Sequence, residues 1–134
     1  MPIPDYQGHS IVNLMASLSA AMGKRSNDYP ELDNLPSRQL AGSRNIILLI
    51  IDGMGYDYLS QYGADSAMHQ HIAAKMTSVF PSTTATAITT FMTGLAPKQH
   101  GLTGWFTYLK ELACITAVLP FRPRVGANTF NTDN

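Results

Sequence analysis

Residues 45–51 read NIILLII and give the strongest β-strand signal in the chain. Six consecutive large aliphatic side chains without polar alternation are typical of a strand that is buried on both faces, as in a parallel sheet covered by helices. Burial of six such side chains would contribute roughly 9–18 kcal/mol as an upper bound, so the strand needs neighbours. The segment therefore predicts an α/β fold with a mostly parallel sheet.

The rest of the chain supplies elements that would surround this strand. Further strands are predicted over residues 76–80 and 113–119. Helices are predicted from apolar spacing and from capping residues such as Ser10, over residues 11–22, 37–40, 56–62, 65–75 and 83–93. The order strand–helix–strand–helix–strand is typical of an α/β domain.

This pattern divides the chain into three parts. Residues 1–44 form an N-terminal helix and connection, residues 45–125 the α/β part, and residues 126–134 a polar tail. Three strands are few for such a sheet, since the mean is about 5–6. We therefore expect an incomplete sheet with an exposed edge through which another chain could associate.

Composition narrows the class of protein. The 134 residues carry 9 basic and 9 acidic side chains and 45% apolar residues, which is typical of a globular domain without affinity for nucleic acid or for acidic membranes. The single cysteine excludes an internal disulfide and favours a reducing compartment. With no secretory signal pattern at the N-terminus, we expect a cytoplasmic location.

Candidate chemistry lies where two predicted strands end. Asp52 follows the first strand, and Thr84 lies in PSTT, at the start of the predicted helix that follows the second. Parallel strands would bring both residues to one rim of the sheet. A carboxylate there suits a divalent metal, and a threonine at a helix N-terminus suits an anion. Ser82 and Thr83 remain alternatives for the hydroxyl, and a turn or cap role remains open for Asp52.

Other residues give weaker signals. The pair Gly53 and Gly55 lacks the third glycine of a dinucleotide fingerprint, because position 58 is tyrosine. A nucleotide-binding domain without hydrolysis is therefore disfavoured. His69 and His71 are two residues apart and would point to different faces of a helix. We expect loop packing for His100, with contact to a ligand as the alternative. For Trp105 and Phe106 we expect core or rim packing, with a place in a substrate pocket as the alternative. Cys114 lies in an apolar predicted strand, so we expect an inert buried thiol.

Three motifs together resemble the type I phosphodiesterase/nucleotide pyrophosphatase family of the alkaline phosphatase superfamily. They are IILLIIDGMG from Ile46, SVFPSTTATAITTFMTGLAP from Ser78, and the pair His100–Gly101. The resemblance implies a large α/β sheet and two zinc ions, with Asp52 as a zinc ligand. It implies Thr84 both as a zinc ligand and as the nucleophile that attacks a small-molecule phosphate ester or nucleotide.

The sequence also departs from that family's pattern. Trp105 stands where nucleotide-cleaving members have an asparagine, and Thr83 stands where a lysine commonly precedes the nucleophile. These departures leave monoesters, diesters and phosphonates open as substrates. The remaining zinc ligands of the family lie later in a longer chain, and a zinc site needs three or four protein ligands. We therefore expect weak activity or none from this chain, and a non-catalytic, partner-binding α/β module is the alternative.

Overall fold

The computed structural model describes residues 3–24, 28–126 and 130. The chain divides into one unit of residues 1–77 and another of residues 78–134. The first unit contains the helices α1 (Ile11–Ala21), α2 (Ser37–Leu40), α3 (Tyr56–Tyr62) and α4 (Ala67–Gln70). The second contains α5 (Thr84–Thr93), α6 (Pro97–His100), β1 (Phe106–Leu109), a 3₁₀ turn (Lys110–Leu112), β2 (Cys114–Ala117) and β3 (Arg122–Pro123).

Helix α1 carries much of the core of the first unit. It begins after Ser10, as the sequence predicts, and ends at Ala21. Its buried side chains include both apolar and polar residues: Ile11, Val12, Asn13, Ala16, Ser17 and Leu18. The apolar spacing that predicts a helix over residues 11–22 describes its buried side only in part, because Met22 is exposed and the polar Asn13 and Ser17 are fully buried.

Buried polar groups of α1 tie it to neighbouring loops. The Asn13 Oδ1 accepts hydrogen bonds from the Ser10 N–H at 3.0 Å and from the Ser10 hydroxyl at 2.6 Å. Its Nδ2 donates to the carbonyls of Tyr6 at 2.9 Å and Pro30 at 2.8 Å. The Asn13 amide therefore has a partner on both its oxygen and its nitrogen, which explains how a polar side chain is accommodated at full burial.

The predicted strand at residues 76–80 is reduced to one parallel bridge between Ser10 and Thr77. The Ile11 N–H donates to the Thr77 carbonyl at 3.0 Å, and the Thr77 N–H donates to the His9 carbonyl at 2.7 Å. The Thr77 hydroxyl adds a 3.0 Å bond from the Asp5 N–H. A ladder needs successive residues in register, and α1 starts immediately after the bridge, so no strand develops.

The structure does not contain the buried strand that the sequence predicts at residues 45–51. They belong to no helix, strand or bridge among the described residues, and their backbone groups make no backbone hydrogen bond in that part of the chain. Ile47 and Leu49 are 91% and 78% exposed. Aliphatic runs favour a buried strand only where partner strands satisfy their backbone groups, and the hydrogen-bonded strands of this structure pair with one another instead.

Helix α4 is much shorter than the predicted helix over residues 65–75. It is capped by Ser66, whose hydroxyl accepts a hydrogen bond from the His69 N–H. The helix ends at Gln70, and residues 72–75 have no regular structure. A single turn without buried residues lacks the tertiary packing that normally extends a helix of weak propensity.

The sheet of the second unit is antiparallel, whereas the sequence predicts a mostly parallel sheet. Its order is β1-β2-β3, with Phe106 opposite Ala117 and Leu109 opposite Cys114. Residues 110–113 alone connect β1 to β2, and a parallel pair needs a crossover of a dozen or more residues. Ala113 closes the hairpin at a φ of 50°. The strand predicted at residues 113–119 exists as β2, but it pairs locally.

The chain thus combines helices with a small antiparallel sheet. No helix among the described residues has the length and apolar character required to cross a bilayer.

Candidate functional site

Helix α5 begins at Thr84, with Thr83 as its N-cap residue. The preceding Phe80–Pro81 peptide bond is cis. The first intrahelical hydrogen bond runs from the Ala87 N–H to the Thr83 carbonyl at 2.9 Å. The backbone N–H groups of residues 84–86 therefore lie before the first intrahelical hydrogen bond. They are at the N-terminal end of the helix, where the helix dipole favours an anion. The sequence prediction of a threonine at a helix N-terminus is confirmed.

The hydroxyl groups at this helix start have different environments. Ser82 and Thr83 are exposed, whereas Thr84 is half-buried. The Thr83 hydroxyl lies 2.9 Å from the hydroxyl of Thr86, which is fully buried. This contact holds the Thr83 side chain against the first turn of α5, although the side chain makes no capping hydrogen bond to the backbone.

Further along α5, threonine hydroxyls bond within the helix or to the next element. Those of Thr89 and Thr93 donate to the carbonyls four residues earlier, both at 2.7 Å. Thr90 is fully buried, and its hydroxyl lies 3.3 Å from the Nε2 atom of His100. The helix ends at Gly94, whose φ is 72°. Its far end is therefore fixed by a left-handed glycine and by contact with α6.

Helix α6 lies in the segment that the sequence predicts to be a loop. Pro97 occupies its first turn, and the Gln99 side chain accepts a hydrogen bond from the Ala96 N–H at 3.1 Å. A capping residue, proline at the first position and glycine after the end are the signals of a short helix. Gly101 follows it with a φ of 73°.

His100, the last residue of α6, bonds through both ring nitrogens. Its Nδ1 accepts a hydrogen bond from the Leu102 N–H at 3.1 Å. An acceptor nitrogen carries no proton, so this contact assigns the neutral ring with the proton on Nε2, which then donates to Thr90. Burial lowers the pKa of His100 and also favours the neutral ring. His100 packs through these two contacts at the end of a short helix rather than in the expected loop. Its partner Thr90 has no distinguishing signal in the sequence.

Asp52 lies in the first unit, directly after residues 45–51, and is exposed. Gly53 follows at a φ of 76°, a left-handed conformation that glycine adopts readily. Gly55 is then the N-cap residue of α3. The two glycines serve the turn into a helix that starts and ends where the sequence predicts, at Tyr56 and Tyr62.

Cys114 and Trp105 lie around the hairpin of the second unit. Cys114 is half-buried rather than buried, because it begins β2 at the turn. Its Sγ lies 3.6 Å from the Thr116 hydroxyl. The Trp105 side chain is 44% exposed, and its carbonyl accepts a hydrogen bond from the Val118 N–H at 3.0 Å. Trp105 thus helps to anchor the hairpin through its backbone.

The structure places the two principal candidates in different units, Asp52 in residues 1–77 and Thr84 in residues 78–134. Both offer oxygen atoms, which are suitable donors for a divalent metal. The described residues contain no group of three or more His, Cys, Asp or Glu side chains that could hold a metal ion. Asp52 and Thr84 are two residues, fewer than the three or four protein ligands of a zinc site.

Comparison with known proteins identifies the family. No curated protein and no solved structure matches the chain. The family model described as type I phosphodiesterase / nucleotide pyrophosphatase matches residues 46–116, which are 71 of the 134 residues. The match includes Asp52, Thr84 and His100. The chain belongs to the type I phosphodiesterase/nucleotide pyrophosphatase family.

Proposed function

We propose that this chain contributes the nucleophile and one metal ligand to a metal-dependent hydrolase of phosphate esters. Thr84 is the proposed nucleophile and a metal ligand, and Asp52 is a second metal ligand. The observation that carries the proposal is the position of Thr84, a half-buried hydroxyl on the first residue of a ten-residue helix. The substrate class is a small phosphate ester or nucleotide, in keeping with the family.

In the proposed reaction, the Thr84 oxygen attacks phosphorus as the bond to the leaving oxygen breaks. The hydroxyl proton passes to solvent, and the leaving oxygen departs with the bonding electrons. Water then attacks the phosphorylated threonine, which restores the hydroxyl and releases the phosphate product. Amide donors at the start of α5 would stabilise charge on the phosphoryl oxygens. When bound, two zinc ions would stabilise the attacking and leaving oxygens.

The proposed site is incomplete within this chain. Two ligand residues hold zinc weakly, because structural and catalytic zinc sites use three or four protein ligands. We propose that the missing ligands, and the strands that complete a mostly parallel sheet around residues 45–51, come from outside these 134 residues. The chain by itself is then expected to show little or no turnover. A cytoplasmic location remains part of the proposal because the chain has a single cysteine.

The test combines turnover with detection of a covalent intermediate. The purified chain is incubated with zinc and with a nitrophenyl phosphate monoester or diester, and intact mass spectrometry records any phosphoryl adduct. We expect traces of adduct that Thr84→Ala abolishes and Thr84→Ser retains. Ser82→Ala is the matched control, since Ser82 is an exposed hydroxyl two residues away. Robust turnover would contradict the incomplete site, and an adduct that survives Thr84→Ala would contradict the nucleophile.

A second candidate function is a non-catalytic module that binds a partner chain. The bare apolar segment of residues 45–51 favours it, because unpaired strand-like segments add readily to other strands. A chain that remains monomeric at high concentration and unfolds cooperatively would count against this role.

A further inference from the structure

The three-stranded sheet of the second unit has an open face that carries aromatic side chains. Residues directly opposite each other in an antiparallel pair lie on the same side of a sheet. Phe106 and Tyr108 of β1 therefore share a face with Ala117 and Ile115 of β2. Phe106, Tyr108 and Ile115 are 48%, 61% and 43% exposed. The residues that alternate with them, at positions 107, 109, 114 and 116, belong to the other face and are half-buried or buried.

Strand β3 adds two exposed arginines to the open face. Arg122 lies opposite Ala117, and the Arg124 N–H donates to the Ile115 carbonyl at 2.8 Å. The guanidinium carbon of Arg124 lies 4.9 Å from the centre of the Phe106 ring, a cation–π contact that extends across β2. Ala117 is buried between these larger side chains. We call this surface the aromatic–arginine face; its residues are Phe106, Tyr108, Ile115, Ala117, Arg122 and Arg124.

The charge of this face is not balanced by a carboxylate among the described residues. The salt bridges in that part of the chain join His9 to Asp33 and Lys75 to Asp57. Residues 78–134 carry four basic and two acidic side chains, although the whole chain is neutral. Covering the face with an apolar surface would remove two arginines from water without a counter-charge, which is costly. Charge complementarity therefore favours an anionic ligand.

An anion with a flat aromatic part would use both edges of the face. The exposed Tyr108 ring offers a surface on which an aromatic ring can stack. A guanidinium presents its N–H donors in a planar fork that matches phosphate oxygens. The Phe106 ring already holds Arg124 over the sheet, so less side-chain freedom would be lost on binding. Because β1 and β3 lie two strand spacings apart, about 10 Å, one small molecule can contact both.

We propose that the aromatic–arginine face binds a nucleotide, with the base stacked on Tyr108 and the phosphate paired with Arg122 and Arg124. One open ring beside two arginines suits a single nucleotide, whereas a nucleic acid strand uses a series of aromatic side chains for successive bases. The site requires neither a metal ion nor the Thr84 hydroxyl. Its existence therefore does not depend on the proposed catalytic role.

Binding is measured in a Thr84→Ala background with EDTA, so that neither the proposed nucleophile nor a metal contributes. Isothermal titration calorimetry compares AMP with adenosine and with inorganic phosphate. We expect AMP to bind about tenfold more tightly than either, because only AMP contacts both the ring and the arginines. Backbone amide NMR spectra should place the AMP-induced shifts within residues 106–124. Equal affinities for AMP and adenosine, no binding of AMP at millimolar concentration, or shifts confined to other residues would overturn the proposal.

Substitutions on the face separate stacking from charge. Tyr108→Ala should raise the Kd for AMP about fivefold or more, whereas Tyr108→Phe should retain it. Arg124→Gln should remove most of the preference for AMP over adenosine. Tyr62→Ala and Lys98→Gln are the matched controls, since both side chains are exposed and lie outside the face. An unchanged Kd in Tyr108→Ala, equal losses in the controls, or much tighter binding of a ten-nucleotide thymidine strand than of AMP would contradict a single-nucleotide site.

Discussion

The hydroxyl of Thr90 and the Nε2 of His100 lie 3.3 Å apart and join α5 to α6. Thr90 is fully buried, six residues beyond Thr84 on the same helix. The Leu102 N–H donates to the Nδ1 of the same ring. Through one neutral imidazole, the loop after α6 is thus connected to the helix that carries the proposed nucleophile.

This arrangement predicts a pH-dependent stability. Burial lowers the pKa of His100 in the folded chain, so the unfolded chain binds a proton first as the pH falls. The free energy of unfolding is therefore expected to be highest above about pH 6.5, the ordinary histidine pKa. It should decrease as the pH falls from there to the pKa of His100 in the folded chain. Urea titrations on both sides of this pH measure the slope.

His100→Gln is the control for this prediction. The glutamine amide retains a donor for the Thr90 hydroxyl and does not titrate. The decrease in stability below about pH 6.5 should be smaller in this variant than in the wild-type chain. The other histidines remain in both proteins. An identical slope in the two proteins would contradict the assignment of the effect to His100.

The helices could be predicted from sequence because their signals are local. Ser10 at the start of α1, Gly63 after α3 and the threonines before α5 fix helix ends through the backbone of a few neighbouring residues. The sequence does not predict helix α6, because Pro97 and Gly101 are equally typical of a loop. In the structure they are a start signal and a stop signal four residues apart.

The strands could not be predicted in the same way, because pairing depends on residues far away in sequence. The apolar run of residues 45–51 indicates a strand but does not supply its neighbour. Residues 106–109 and 114–117 pair because a short turn brings them together. Of the candidate site, the helical position of Thr84 followed from local sequence, whereas the contact of His100 with Thr90 could only come from the structure.

Asn13 provides a second prediction, about stability. Asn13→Ala should reduce the free energy of unfolding by about 1–3 kcal/mol or more. The Ser10 N–H and the carbonyls of Tyr6 and Pro30 lose their hydrogen-bond partner in this variant. Asn13→Asp should be at least as damaging, since a carboxylate would face the carbonyls of Tyr6 and Pro30. Urea denaturation gives both values.

Asn34→Ala is the matched control for Asn13, because Asn34 is exposed in the same unit. Its effect should stay within about 0.5 kcal/mol. Similar losses at positions 13 and 34 would show that the buried hydrogen bonds of Asn13 do not stabilise the unit.

Two glycines after α6 give a third prediction. Gly101 has a φ of 73°, and a Cβ there would meet no atom within 4 Å, so Gly101→Ala tests backbone strain without a clash. We expect a loss of about 1–2 kcal/mol from placing alanine in the left-handed region. Gly104→Ala is the control, because a Cβ also meets open space there and the φ lies outside that region. It should be neutral or slightly stabilising. Equal effects in thermal or urea unfolding would refute the strain argument.

Lys75 supports a fourth prediction, on surface electrostatics. Its Nζ lies 3.0 Å from the Asp57 Oδ1 and 4.7 Å from the centre of the Tyr56 ring. The Lys75 and Asp57 side chains are 56% and 89% exposed, so solvent screens their attraction and the pair should contribute only about 0.2–1 kcal/mol. A double-mutant cycle with Lys75→Met and Asp57→Asn measures this coupling. Added salt should reduce it, because the Debye length falls to about 3 Å at 1 M. A coupling well above 1 kcal/mol that resists salt would mean that the pair is shielded from water and stabilises the first unit more than its exposure indicates.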